Sequence, residues 1–240
     1  MKEEEFEKMF LLEDFYWWFK GRRAIISSVL GDLKPERILD VGCGTGANLS
    51  LFNANVIGLD ASLEALKLAK RRKSDAQLIQ AKAENLPFKD DVFDLVLALD
   101  LLEHLPDDVK GLKEMYRVLK KGGTLLVTVP AYKFLWSEHD EALCHFRRYS
   151  KGEIAGKMEG VGFSIKFISY AIVFSFFPIV LFRLLQKVLK RANRTPKSSL
   201  IILPAFLNDF LYYLLLQEAK MIKNGFSFPF GVSIICRGEK

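Results

Sequence analysis

The 240-residue chain contains only three cysteines, Cys43, Cys144 and Cys236, with no Cys-x-x-Cys pair among them, so neither a disulfide framework nor a zinc site is indicated. Its start, Met1-Lys2-Glu3-Glu4-Glu5, lacks the basic head and apolar core of a secretory signal. Both absences fit a protein of the reducing cytoplasm. A membrane span needs about 18 or more uninterrupted apolar residues, and the longest clean run here, Ala171 to Phe182, is too short. Histidine is also scarce, occurring only as His104, His139 and His145.

The net charge of +6 is unevenly placed. Arg183, Lys187, Lys190, Arg191, Arg194 and Lys197 form a run without an acid, and setting those six aside leaves 29 basic against 29 acidic residues. No aromatic is interleaved among the six for base stacking, so a nucleic-acid partner is not expected. Half the residues are hydrophobic, enough for one well-buried domain with an extension.

Against this background, the stretch Ile38-Leu39-Asp40-Val41-Gly42-Cys43-Gly44-Thr45-Gly46 reads as a buried strand with an acid near its end, three alternating glycines, and then a helix. The glycines let the backbone turn sharply and approach a ligand with no side chains in the way. A dinucleotide fingerprint needs its third glycine one position later, which disfavours a pyrophosphate guest. Val56 to Asp60 reads as a second short strand ending in an acid, about 20 residues after Asp40, the length of one strand-helix-strand unit. A carboxylate at Asp60 could accept both hydroxyls of a ribose, or could cap the helix that begins near Ala61-Ser62.

Together with Gln80 to Pro87 and Asp100 to Leu105, these residues resemble the motifs of the class I S-adenosylmethionine-dependent methyltransferases. The resemblance implies S-adenosylmethionine as cofactor. It would lay Gly42, Cys43, Gly44 and Gly46 under the methionine part, put Asp40 near its ammonium, and set Asp60 and Ala61 at the ribose. Ala83, Glu84 and Asn85 would flank the adenine, and Asp100 would line the methyl-donor pocket. Arg22 or Arg23 would clamp the methionine carboxylate, as an arginine before the first strand does in quinone-pathway relatives. Lys82 departs from the family, which often has an acid there, and moves contact with the adenine amine to Glu84 or to backbone.

Strand patterns at Arg37 to Val41, Val56 to Leu59, Gln77 to Gln80, Phe93 to Leu99 and Thr124 to Val129 alternate with helical stretches, predicting an α/β sheet of parallel strands. The resemblance completes this as a Rossmann-like, mostly parallel seven-stranded sheet with an antiparallel last strand. Phe163 to Ser169 and Phe230 to Cys236 read as the last two strands, separated by an unusually long helical insertion. The resulting organisation is an N-terminal helical cap (1–36), the cofactor-binding core (37–170), an apolar and basic insertion (171–228) and a closing strand (229–240). A helix starting after Pro106 should end at Lys120-Lys121-Gly122-Gly123, and Ser150 to Glu153 is a capping box that opens another.

Within the insertion, Pro178 to Ala192 is amphipathic, with Val180, Leu181, Leu184, Leu185 and Val188 on one side and Arg183, Lys187, Lys190, Arg191 and Arg194 on the other. Pro204 to Lys223 reads as a second apolar helix, with Phe206, Leu207, Phe210, Leu211, Leu214 and Leu215 on one face. Two readings stand: a closed cap over the substrate site, or a cap that also docks on anionic lipid.

In open α/β sheets the ligand lies across the carboxyl ends of the strands, so the segments after the fourth and fifth strands face the substrate. Glu103 and His104 read best as helix-start capping and cofactor positioning. His139, Asp140 and His145 are the candidate catalytic residues, an imidazole base oriented by Glu138 or Asp140 for an oxygen or nitrogen nucleophile. No metal ligand set is assigned, because the spacing fits no metal template. Arg147 and Arg148 could instead bridge loop carboxylates. The five aromatics Phe15 to Phe19 cannot all be buried on one helix face, so some should cover an apolar ligand or the cofactor. The resulting expectation is a methyltransferase for a small, hydrophobic or lipid-linked acceptor, by in-line transfer. The alternatives are a non-catalytic or membrane-surface regulator that binds the same cofactor, and an NAD-dependent oxidoreductase.

Overall fold

The computed structural model describes residues 3–52, 55–72, 77–188 and 203–240. Its strands are β1 (Arg37–Val41), β2 (Asn55–Asp60), β3 (Gln77–Gln80), β4 (Phe93–Leu99), β5 (Leu119–Pro130), β6 (Ser164–Ala171) and β7 (Ser233–Glu239). They form one seven-stranded sheet in the order β3-β2-β1-β4-β5-β7-β6. β3, β2, β1, β4 and β5 pair in parallel, whereas β7 is antiparallel to both β5 and β6. This is the α/β architecture expected, with the last strand antiparallel and a helical insertion before it.

The central strands are near-continuous runs of Ile, Leu and Val, as befits a sheet covered on both faces: Ile38, Leu39, Val41, Val96, Leu97 and Leu126 are fully buried. The helices are α1 (Glu3–Leu12), α2 (Trp17–Leu30), α3 (Leu63–Arg71), α4 (Asp108–Val118), α5 (Glu138–Ala142), α6 (Lys151–Val161), α7 (Phe176–Val188) and α8 (Ala205–Lys223). The α3 and α6 starts are set by Ser62 and Ser150, whose side chains accept from Ala65 N and Glu153 N.

Several local expectations are corrected. After Gly46 there is no full helix but a single 3-10 turn, Leu49–Leu51, because the chain must already enter β2 at Asn55. The helix after Pro106 ends at Val118, before the lysines and glycines. Leu119 is fully buried and extended, Lys120 Nζ meets Asp94 Oδ1 at 2.6 Å, and Gly122, at φ +76°, donates its N–H to Lys240 O. Those residues therefore lengthen β5. The closing strand starts at Ser233 rather than Phe230, since a side chain at Gly231 would lie 2.4 Å from Ala171 O and Pro229 has no N–H to pair.

Both insertion helices are rotated relative to the faces expected. On α7, Leu181 and Leu185 are exposed and Arg183 is buried, held by a hydrogen bond to Ser137 Oγ. Residues 189–202, with Lys190, Arg191, Arg194 and Lys197, lie outside the described residues. On α8, Leu215, Glu218, Ala219 and Ile222 face inward while Phe206 and Phe210 are exposed. The cause is the docking of α8 on α2. Gly21 lies so close to Leu215 that an added Cβ would come within 2.1 Å of its Cδ1, and Asn208 accepts from Trp17 N and donates to Phe15 O. Within the aromatic run Tyr16 and Trp17 are buried, Trp18 and Phe19 half-buried and Phe15 exposed, and the Lys20 ammonium lies 4.1 Å from the ring centre of Tyr212.

Candidate functional site

The turn after β1 is built as the glycine pattern requires. Gly42, Gly44 and Gly46 all have positive φ, and Gly42 N and Cys43 N donate to Leu59 O at 2.7 and 3.0 Å. A Cβ at Gly42 would strike Leu101 and one at Gly46 would crowd Ala69, but one at Gly44 would meet nothing within 4 Å. The loop is packed tight at two glycines and open at the middle one. Asp60, at the end of β2, reaches this opening, its Oδ2 accepting from Gly44 N at 2.9 Å and its Oδ1 from Ser62 N at 2.8 Å. Asp60 thus ties the glycine turn to the start of α3, whose cap is Ser62.

Asp40 is 1% exposed and its Oδ2 has no hydrogen-bond partner. Burial, and then the negative charge of Asp60, push its carboxyl up to about 8. Burial raises Asp60 too. The buried Cys43 thiol is pushed up as well, and packs against Gly58. Two carboxyls that burial disfavours as anions, one with an orphaned oxygen, form a site that gains from a cationic group.

The N-terminal segment closes over this turn. Thr45 Oγ1 donates to Glu13, Arg72 Nη2 meets Glu13 Oε2 at 2.5 Å, and Arg72 Nε donates to Thr45 O at 3.0 Å. Neither Glu13 nor Arg72 was singled out in the sequence, since each is one charged residue in an ordinary helical context. Beyond β3, Ala83 is buried, Glu84 half-buried and Asn85 exposed, on a turn held by Asn85 N to Lys82 O at 3.1 Å. Glu114 and Arg117 of α4 hold the next residues by bonds to Leu86 N and to the carbonyls of Leu86 and Phe88. Ala61 is exposed, its carbonyl accepting from Gln80 Nε2.

At the end of β4, Asp100 adopts φ +52°, held by Thr128, whose carbonyl accepts its N–H at 2.9 Å. Arg22 Nη1 pairs with Asp100 Oδ2 and Arg22 Nη2 donates to Thr128 Oγ1 at 2.9 Å. Arg22 and Asp100, both expected at the cofactor, are thus joined to each other. Burial raises the Asp100 carboxyl, but Arg22 outweighs it and holds the group below its ordinary value. Glu103 is not a helix cap, because α4 is capped by Asp107, whose Oδ1 accepts from Lys110 N at 2.9 Å. Glu103 is instead buried with Oε2 unpartnered, and burial beside Asp100 raises it well above the usual range.

The chain after β5 leaves the sheet and returns to the same place. Tyr132 N donates to Tyr149 O at 2.8 Å, and Tyr149 N to Pro130 O at 3.0 Å. Inside the excursion, Ser137 and Asp140 form a capping box that starts α5. Asp140 is fully buried. Its Oδ1 accepts from His145 Nδ1 at 3.0 Å and Arg148 Nε at 2.7 Å, and its Oδ2 from Arg148 Nη2 at 3.1 Å and Ser137 N at 2.9 Å. Burial would raise this carboxyl, but the bonds from His145 and Arg148 hold it far below the usual range. Arg147 meets Asp108 at 3.2 Å, so both arginines do bridge carboxylates.

The structure brings together Asp140 and His145, and sets His104 edge-on to His145, with ring centres 4.6 Å apart. Burial and the neighbouring His145 push His104 down to about 3. His139 is pushed down to about 4, by burial and then by Arg183. Both are neutral at pH 7. Among the described residues, Glu103, His104 and His145 also place a carboxylate and two imidazoles within 4.8 Å of one another.

A glycine turn thus opens beside Asp40 and Asp60 at the carboxyl edge of a sheet whose last strand is antiparallel, the place where the sequence resemblance would lay the methyl donor. A family model described as a methyltransferase domain matches residues 39–127. A demethylmenaquinone methyltransferase of Renibacterium salmoninarum is 39% identical over 111 residues, covering 45% of this chain and 46% of that protein. A phthiotriol/phenolphthiotriol dimycocerosates methyltransferase of Mycobacterium ulcerans is 36% identical over 132 residues, covering 51% and 49%. The chain spans about half the length of the curated relatives it matches.

Among solved structures, a SAM-dependent methyltransferase of Thermotoga maritima shares the fold at a TM-score of 0.61 and 22% identity, over 99% of this chain and 95% of that one. Residues 39–127 thus match the methyltransferase-domain family, and the whole chain shares the fold of a solved SAM-dependent methyltransferase. S-adenosylmethionine is the cofactor that this likeness implies, and the residues present suit it: Gly44 faces open space, and Asp40 and Asp60 would favour its positive charge.

Proposed function

We propose that this protein transfers a methyl group to a small, hydrophobic or lipid-linked acceptor by direct in-line displacement. The observation that carries the reading is the His145–Asp140 pair beside the donor pocket, at the same edge of the sheet as Gly44, Asp60 and Asp100. When bound, S-adenosylmethionine supplies a sulfonium-linked methyl that an electron pair can displace, the sulfur keeping the bonding pair. The chain's part is to align, to exclude water and to take a proton.

Asp60 would accept the ribose hydroxyls with lone pairs not used by Gly44 N and Ser62 N, and Asp40 would face the ammonium. Arg22, fixed by Asp100 and Thr128, would stand at the methionine carboxylate. With Asp140 held as the carboxylate, a neutral His145 would donate from Nδ1 and keep Nε2 for a proton, the tautomer a general base needs. An acceptor hydroxyl or amine would lose its proton to that nitrogen as its bond to the methyl carbon forms.

Support for an apolar acceptor is twofold. Tyr132 stacks on Tyr170 at 4.9 Å and touches Phe176, which meets Phe230, so the loop after β5 presents an aromatic wall. The relatives quoted above are named for demethylmenaquinone and for phthiotriol/phenolphthiotriol dimycocerosates. Cys43, Cys144 and Cys236 are free thiols, and we place the reaction on the cytoplasmic side, at or near a membrane surface.

The test is incubation of cell extract with methyl-labelled S-adenosylmethionine, followed by partition of label among lipid, protein, nucleic-acid and small-molecule fractions. Label entering the lipid or apolar small-molecule fraction, and lost with His145→Ala, supports the reading. Label in protein or nucleic acid overturns the acceptor class. Calorimetry showing NAD rather than S-adenosylmethionine bound overturns the function.

A further inference from the structure

We propose that the outward faces of α7 and α8 are a docking surface for an anionic lipid bilayer. Each helix has an inner face already occupied. On α7, Arg183 is buried against Ser137 and Phe176 packs on Tyr132 and Phe230. On α8, Leu215 packs on Gly21, while the fully buried Glu218 accepts from Ile172 N and Val173 N. These helices have no further core to enter.

Their outer faces are nonetheless apolar. Phe177, Leu181 and Leu185 recur every fourth residue on α7 and are 65%, 59% and 49% exposed. Phe206, Phe210 and Tyr213 recur at four and three on α8 and are 76%, 55% and 56% exposed. Large apolar side chains at helical spacing, pointing outward, mark an interaction surface rather than scattered exposure.

Charge decides the partner. Residues 160–208 contain no Asp or Glu, while Lys166, Arg183, Lys187, Lys190, Arg191, Arg194 and Lys197 all fall within them. Arg183 is used internally and Lys166 pairs with Glu239, but Lys187, Lys190, Arg191, Arg194 and Lys197 all fall in the sequence between the exposed residues of α7 and those of α8, with no acid until Asp209. An apolar face with an excess of one positive sign suits acidic headgroups, where burial and Coulomb attraction add. A second copy of the same basic surface would be repelled. Among the described residues, no helix is long and apolar enough to cross a membrane, so the contact lies on the surface.

Docking does not depend on the activity proposed above, but its use does. Arg183 ties the inner side of α7 to Ser137, the cap of the helix carrying His139 and Asp140. A docked α7 would therefore hold the catalytic loop one helix diameter from the interface, where a lipid-linked acceptor waits.

The experiment is co-sedimentation of the full chain with phosphatidylcholine vesicles, with and without phosphatidylglycerol, at low and high salt. The wild type should pellet with the anionic vesicles and be released by salt. Phe177→Ser/Leu181→Ser and Phe206→Ser/Phe210→Ser should each lower that binding at least tenfold, with S-adenosylmethionine affinity and melting temperature unchanged. Equal recovery in the supernatant with every vesicle, or binding indifferent to salt and headgroup, overturns the proposal. So does sedimentation equilibrium showing a dimer that the same substitutions dissociate. Because vesicle binding needs no acceptor, a protein that labels lipid yet ignores vesicles would fail here alone. One that docks yet transfers no methyl would fail only the functional reading.

Discussion

His145 Nδ1 donates to Asp140 Oδ1 at 3.0 Å while Arg148 grips both oxygens of the same carboxylate. The imidazole is thereby fixed in one tautomer by a group that does not itself take up the proton. His145→Ala should lower kcat by about 100- to 10,000-fold with S-adenosylmethionine affinity unchanged, the range for loss of a general base. Asp140→Asn should lower it less and shift the pH profile, while His139→Ala should leave kcat near wild type. Retained methylation in the first two variants would remove the catalytic assignment.

Cofactor affinity should depend on pH through Asp40. Its carboxyl is pushed up to about 8, so near neutrality it is mostly protonated, and a bound cation favours the ionised form. Binding then releases a proton, and affinity rises with pH below about 8, by at most tenfold per unit. Calorimetry in buffers of different ionisation enthalpy reads the released proton directly. Asp40→Asn should abolish this release, and an unaltered release in that variant would contradict the assignment.

Glu218 makes a comparable prediction for stability. Burial pushes it from its ordinary 4.5 up to about 7 against the opposing bonds from Ile172 N and Val173 N. The folded state thus binds more protons than the unfolded between those values, and the contribution of this group to stability falls as pH rises from about 4.5 to 7. Glu218→Gln should flatten that dependence. It should also cost about 1–3 kcal/mol at acid pH, because its amide cannot accept the second N–H. Denaturant unfolding across pH checks both.

Gly21→Ala tests the joint between the N-terminal helix and the insertion. The added Cβ would overlap Leu215, and overpacking of this kind costs about 1–3 kcal/mol. Leu215→Ala in the same chain should return part of the loss. A melting temperature unchanged by Gly21→Ala would show that α2 and α8 do not pack as described.

Displacement at a sulfonium methyl needs no Lewis acid, and EDTA should leave the rate unchanged. Activity lost with EDTA and restored by a divalent ion would assign Glu103, His104 and His145 to a metal.

The glycine turn and the strands that flank it were legible because backbone geometry dictates them. Gly42, Gly44 and Gly46 occupy positive φ, and the strand ends at Asp40 and Asp60 follow from short apolar runs. The pairing of Asp140 with His145 was open in the sequence, where Glu138 was an equal candidate, and the capping box that turns Asp140 inward decided it. The insertion was read least well. Period 3.6 showed that α7 and α8 are amphipathic, but which side faces in was set by two distant partners, Ser137 for Arg183 and Gly21 for Leu215. Glu13 and Arg72 were invisible for the same reason: their meaning lies in Thr45, far along the chain from both.

The excursion from Ala131 to Tyr149 begins and ends on one rung, Pro130 and Tyr132 both bonding Tyr149. Such a loop behaves as an interchangeable cassette. Its interior can lengthen, shorten or change chemistry without shifting the register of β5 or disturbing the turn at Gly44. Acceptor preference and donor binding can then evolve independently, and grafting this segment between relatives should transplant the one while leaving the other intact.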